Sequence, residues 1–558
     1  MKQLTTIACL LLLLINVKAQ DIEHIASAKP FVMTGFVNAG VSYLDDNRET
    51  SFTSPLGYFA TVGLNLNIYG ALQIPLSFTY SDQQTSFQRP SFRTFGISPS
   101  YKWVTLHAGY RSFNISPLLM SGSQVKGLGI ELTPGPFQLL VFKGDLTHRY
   151  NFGYNTEVIA ASEIEVYKRN ATGARLGLGS GQNYVRFSIL KITDDELSGS
   201  QIALDTLSIL PQENLGLAFS GGMQLFSRLT FETNVAGSAL NSNTRSPLVD
   251  TDGTFSKLSD AFMEINESTR YAFTYDAGVT LRIANWRVGA KFQHVDPGYE
   301  TLGYVYLQQD INNYTGFISG ALFRSRLIVN ANVGFQYNNT KEQFAQKDRR
   351  AIYNGSVNWS IQPRLQWSAS YNNFNSDGNL SVTEVVDSLQ FTTDNVGYSS
   401  NVNYSFGPRK SQHSINLNVS KNSFQIVRGE EELSTNTSSN YSLSYSKKIE
   451  NHGLKVGGSL RLSDFNDSEE NTVTRKGISL SVQKSLSKSI SLKLRPSYDI
   501  NGTNGSTDGS VINLRLRASY KVSTRTTIAS SVNYRNRKTE ILNPFSQIRM
   551  SFSFNSRF

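Results

Sequence analysis

Residues Tyr271–Ile283 read YAFTYDAGVTLRI. The odd positions are Tyr271, Phe273, Tyr275, Ala277, Val279, Leu281 and Ile283. Between them stand Ala272, Thr274, Asp276, Gly278, Thr280 and Arg282. Successive strand residues point to opposite faces, so this segment has one apolar and one small or polar side. The same pattern recurs over Tyr58–Ile68, Leu327–Tyr337, Leu365–Tyr371, Val396–Phe406 and Ile512–Val522. Strands of a soluble sandwich average about 5–6 residues. These segments run to about 10–14, the length a tilted strand needs to cross a bilayer.

The connections alternate in length. Gly70-Ala71, Pro134-Gly135-Pro136, Ala284-Asn285 and Ser523–Thr526 are short, whereas 82–91, 114–124, 241–269, 296–313, 424–434 and 501–508 are long and mostly polar. Counted along the chain, they predict an all-β protein. It is a single transmembrane antiparallel β-barrel of about 26 strands, with short periplasmic turns and longer extracellular loops. The count falls to about 24 if the poorly alternating stretch 164–179 is not a strand. With the first strand beginning near Phe31, no plug domain and no periplasmic domain is expected.

Composition fits a wall wetted on one side. Apolar residues make up 39% and charged residues 17%, while aromatics reach 11%. Asn, Gln, Ser and Thr supply about a third of the chain, well above average usage. Such a chain is too polar for a helical membrane protein and too weakly charged for a disordered one.

The opening MKQLTTIACLLLLLINVKAQ reads as an export leader. Lys2 precedes a short apolar run, and Val17-Lys18-Ala19 forms the cleavage site. The expected organisation is a leader over 1–19, a short periplasmic segment over 20–30 and a barrel over 31–558, in the outer membrane of a Gram-negative bacterium. Cys9, the only cysteine, lies in the leader, so no disulfide or thiolate metal site is expected in the exported chain. The net charge of +10 becomes +8 without Lys2 and Lys18. An exported chain with scattered basic residues points to anionic solutes or surfaces rather than to nucleic acid.

Twenty-six strands enclose a cylinder roughly 50 Å across. Wall side chains cannot fill it, so water, folded-in loops, flattening or a partner must. Parity places Arg282, Arg287, Lys291, Lys493, Arg495, Arg515, Arg517, Lys521, Arg535 and Arg537 on the lumen face. This basic stripe would attract anions or simply solvate the wall. No histidine pair, G-x-S-x-G or H-E-x-x-H motif is present, so neither an enzyme nor a cofactor is expected. Asp250-Thr251-Asp252-Gly253 carries only part of a calcium-loop pattern and reads as a turn.

The last strand places Ile548, Met550, Phe552, Phe554 and the terminal Phe558 on one parity. It resembles the C-terminal signal of bacterial outer-membrane barrels, which implies recognition by the barrel-assembly machinery through Met550, Phe552, Phe554 and Phe558. Asp205-Thr206-Leu207 and Asp387-Ser388-Leu389 resemble Bacteroidota O-glycosylation sites, which would modify Thr206 and Ser388. The segments DPGYETLG (296–303) and PQEN (211–214) resemble outer-membrane β-barrel proteins of Bacteroidota, a largely uncharacterised group. That resemblance implies fold and location and brings no substrate. The 296–303 segment lies in a long loop, positioned to fold inward or to dock a partner. Two functions remain open: a channel for polar or anionic solutes, and a non-catalytic barrel in a secretion, surface-assembly or motility complex. Membrane lipids are partners in both.

Overall fold

The computed structural model describes residues 29–47, 55–81, 93–121, 123–146, 167–198, 210–250, 257, 259–304, 307–342, 346–380, 391–428, 431–469, 471–539 and 544–558. The expected leader (1–19), Thr206, Ser388 and residues 251–253 of the expected Asp-rich turn lie outside them.

Strand segments β1–β27, numbered in chain order, form one sheet. The segments β4 (Arg93–Ile97) and β5 (Ser100–Tyr101) both lie between β3 (Leu72–Ser81) and β6 (Val104–Arg111). They form one stave interrupted at Ser98-Pro99, so 27 segments make a barrel of 26 staves. Each stave pairs antiparallel with the next. The ring closes where β1 (Phe31–Asp46) meets β27 (Phe545–Arg557), with Phe36 opposite Arg557. At the seam the Gly35 N–H donates to the Phe558 carbonyl (2.8 Å) and the Phe558 N–H to the Gly35 carbonyl (3.0 Å). Closure leaves no strand edge to recruit another chain.

The two parities dress the two faces as the sequence pattern predicts. Leu492, Leu494, Ile512, Leu514, Leu516, Met550 and Phe552 point outward and are exposed. A continuous apolar exterior of this extent is stable against lipid, not water. Aromatic side chains cluster within it: Tyr371 meets Tyr398 at 5.2 Å between ring centroids, and the Tyr404, Phe406 and His413 rings lie in sequence.

The stretch that alternates poorly is a full stave, β9 (Lys168–Ser180). Its lumen side is Ala171, Gly173, Arg175, Gly177 and Gly179. A Cβ on Gly173 would lie 2.4 Å from the Phe142 ring. Small residues stand there because a lumen-side aromatic presses on the wall, and this erases the alternation.

Two stretches expected as long loops are mostly strand. The strands β24 (Ile490–Thr503) and β25 (Ser506–Lys521) are joined by Asn504-Gly505, with φ of 51° and 84°, the left-handed pair of a type I′ hairpin. Likewise β20 (Ser411–Arg428) and β21 (Glu431–Ile449) are separated by two residues. Polar residues here belong to strands that rise past the apolar belt. Outward on β20, Ile415, Leu417 and Val419 give way to Lys421, Ser423 and Gln425.

Candidate functional site: a half-filled lumen

Buried side chains are concentrated in one arc of the barrel. Beyond Asn339, only Ser479, Asp499, Val511 and Ala529 are buried among the described non-glycine residues. The core instead joins the connection 112–124 to the lumen faces of β8 (Phe137–Leu146), β9, β10 (Asn183–Asp195) and the staves that follow. Phe113 stacks on Phe142 with centroids 4.3 Å apart. Ile115, Leu118, Leu119 and Met120 are buried with Leu190, Ile192, Ala218, Ala236 and Ala272.

The second occupant is the segment 296–304, which leaves β14 (Trp286–Val295) at the same rim. It holds the first occupant backbone to side chain. The Tyr299 hydroxyl donates to the Leu118 carbonyl (2.8 Å), and Thr301 Oγ1 to the Leu119 carbonyl (2.8 Å). Ser123 Oγ donates in return to the Gly303 carbonyl (2.7 Å), and the Tyr304 hydroxyl donates to the Pro117 carbonyl. From the wall, Ser188 Oγ donates to the Ile115 carbonyl (2.8 Å) and Arg175 to that of Asn114. Buried carbonyls need such donors, so these pairings fix one arrangement of the two segments. Burial, reinforced by Tyr304, pushes the Tyr299 phenol far above its ordinary value and keeps it a donor.

The segments DPGYETLG and PQEN meet in space. The Leu302 N–H donates to Asn214 Oδ1 (3.2 Å), while Asn214 Nδ2 donates to Ser238 Oγ (2.7 Å) and the Ala239 carbonyl (3.0 Å). Asp296 anchors the start of the loop. It accepts from the Phe273 N–H (3.0 Å), His294 Nε2 (3.1 Å) and Lys341 Nζ (3.2 Å). Burial raises its pKa, but the bonds from His294, Phe273 and Lys341 outweigh this and hold the carboxyl below its ordinary value.

The rest of the ring is lined differently. From β16 (Leu327–Tyr337) to β21 the inward residues form an amide and hydroxyl ladder. It includes Asn330, Ser356, Ser370, Asn401 and Asn416, with Asn401 and Asn416 bonded to each other. From β22 (Leu454–Asn466) to β27 the lining is basic.

All ten basic residues expected on the lumen face have the inward parity, but they do not form one stripe. Lys493, Arg495, Arg515, Arg517, Lys521, Arg535 and Arg537 share β24, β25 and β26 (Thr526–Thr539). Arg282, Arg287 and Lys291 lie across the ring on β13 (Thr269–Ile283) and β14, beside the filled arc. Lys291 is committed to the buried Asp276 (3.5 Å), and the Arg287 guanidinium lies 5.7 Å from the Phe317 ring centroid. The sequence reading passed over other members of the open basic sector, among them Arg461, Arg475 and Arg549. Arg461 and Arg475 bind the buried Asp499 at 3.2 and 2.9 Å, a grouping that depends on register between staves.

The final strand forms the seam. Met550 and Phe552 face outward and are exposed, with Phe554 and Phe558 on the same parity. No group of His, Cys, Asp and Glu able to hold a metal occurs among the described residues.

No protein-family model and no curated protein matches this chain. Solved structures similar to it include the P pilus usher (PapC) translocation pore, at 11% identity and a TM-score of 0.34, covering 94% of this chain and 99% of that one. Another is Pseudomonas aeruginosa OpdK with vanillate, at 11% identity and 0.31, covering 62% and 93%. A third is Acinetobacter baumannii OccAB2, at 10% identity and 0.28, covering 62% and 92%. At these identities the likeness is of fold alone.

Proposed function

We propose that this chain is an outer-membrane channel for polar solutes that favours anions. The observation that carries the reading is the pairing of an unfilled arc with uncompensated positive charge. Lys493, Arg495, Arg515 and Arg517 are exposed on the lumen side, and none has a carboxylate within 4 Å among the described residues. Cations lining a water-filled passage raise the local concentration of anions and repel cations. The folded-in connections narrow a barrel otherwise wide enough to compromise the membrane barrier. In this reading the C-terminal strand, with Met550, Phe552, Phe554 and Phe558, is presented to the barrel-assembly machinery, and membrane lipids cover the apolar exterior.

The test is ion conductance of the purified full chain in a planar bilayer under a salt gradient. Stable conductance with a reversal potential toward that of chloride supports the reading. A folded protein that never conducts, recovered from gently solubilised membranes with a stoichiometric partner, would replace the channel with a scaffolding barrel.

A further inference from the structure

We infer that the basic sector contains a binding site for a solute carrying closely spaced phosphate- or sulfate-type oxyanions. On the neighbouring staves β24 and β25, Lys493 stands directly opposite Arg517 and Arg495 directly opposite Arg515. Directly opposed residues have Cβ atoms about 4.5–5.5 Å apart. Residues two apart on one strand are separated by about 7 Å. Four cations therefore occupy the corners of one small patch on the lumen face.

Like charges set directly opposite one another destabilise a sheet, and proteins usually relieve them with an acid or by alternating sign. Here neither relief is present. Asp499, the nearest acid on the same stave, is buried between Arg461 and Arg475. Asp46, at the rim three staves from β25, accepts from Gln547 (3.1 Å). None of the four corner residues makes a side-chain hydrogen bond or ion pair within the described chain. On the next stave Arg535 and Arg537 flank the patch. Each keeps a buried Nε without a hydrogen-bond partner, and Arg535 lies 5.4 Å from the Phe545 ring centroid.

The backbone is irregular at the same place. Pro496, which has no N–H, sits inside β24, and pairing with β23 (Thr472–Ser485) passes from Ser497 to Leu494 with no register across Pro496 and Arg495. Proline inside a paired strand is confined to such irregularities, and these recur where a side chain is re-aimed toward a site. Arginine forks match the paired oxygens of phosphate and sulfate, and several forks on one face select for multivalency over a single carboxylate. The inference rests on the anion-favouring reading and narrows it to a substrate class.

The test is equilibrium binding, which does not require conduction. The full chain in detergent at low ionic strength is titrated by calorimetry with inorganic pyrophosphate, with sulfate and with acetate. The expected result is binding of pyrophosphate or sulfate about tenfold or more tighter than acetate; the tighter of the two assigns the oxyanion. The double variant R515Q/R517Q and, from the facing stave, K493Q/R495Q should each remove that preference. R282Q/R287Q, across the ring, should keep it. Retention of the folded band in an unheated gel shows that each barrel is intact. Equal weak binding of all three anions overturns the site, as does an unchanged preference in both patch variants. Absence of conductance with this binding intact would instead overturn the channel reading alone.

Discussion

Replacing Gly303 by Ala should pry the two folded-in connections apart while leaving the strand pairing of the wall intact. A Cβ at this position would lie 2.4 Å from the Leu119 carbonyl oxygen, 3.1 Å from Met120 Cβ and 3.2 Å from Leu190 Cδ2. The first is backbone and cannot swing away. Gly303 is not among the residues with positive φ, so the cost comes from contact rather than backbone strain. Overpacking of this kind costs about 1–3 kcal/mol. The displacement also weakens the bonds from Thr301 to Leu119 and from Ser123 to Gly303, each worth about 1 kcal/mol net. The sum, roughly 2–5 kcal/mol, moves a docked segment toward release by about thirtyfold or more at 1.4 kcal/mol per decade. Hydrogen exchange should speed up in 113–121 and 299–304 while the strands stay protected. Single-channel recordings of the same preparation should show larger or more frequent open levels. Faster exchange with unchanged conductance would refute the idea that these segments narrow the passage.

Other outcomes follow from the same geometry. Leu119→Ala, which empties a fully buried site against Gly216 and Gly303, should cost about 2–5 kcal/mol of docking, read as the same exchange increase. Leu514→Arg, on the lipid face, should destabilise the barrel by about 2–4 kcal/mol in vesicle refolding titrations. Its sequence neighbour Arg515→Gln, on the lumen face, should change little; equal costs would mean that the two faces are assigned wrongly. Because the Asp296 pKa is depressed, its contribution to docking is present above the ordinary carboxylate value and is lost as pH falls through the folded value. Conductance should therefore be steady from about pH 8 to about pH 5 and rise below about pH 4. Asp296→Asn should flatten that response.

The wall was legible because its two solvents impose period two on most staves, and the C-terminal strand announced itself by parity. Alternation weakens where the lumen is filled. Gly173 and Gly177 on β9 are small because other parts of the chain crowd that arc, and a sequence window does not see them. The segment 114–124 reads as one more polar loop by length and position. Its signal was present in Phe113, Ile115, Leu118, Leu119 and Met120, an apolar density that an external loop has no reason to carry. Parity assigns each arginine to a face, yet it cannot say which arginines are neighbours. Arg461, Arg475 and Asp499 come from three staves and meet only through register. The loop 241–269 shows the same limit. Its Met263 and Ile265 pack outside the barrel on Leu215 and Ala239, a contact that no local pattern encodes.

The claim on which these arguments converge is that one arc of the lumen is filled by the chain's own connections and the other is open to water. Cys9 is the only native cysteine, so single cysteines placed in a Cys9→Ser background can report on each arc. The measurement is the rate at which a small, charged, membrane-impermeant thiol reagent labels the folded protein in lipid vesicles. Asn401→Cys and Ser531→Cys, in the open arc, should label rapidly. Ala236→Cys and Ala272→Cys, beneath the docked segments, should label at least a hundredfold more slowly (about the ratio that a few kcal/mol of docking implies). Comparable rates at all four positions would contradict the account.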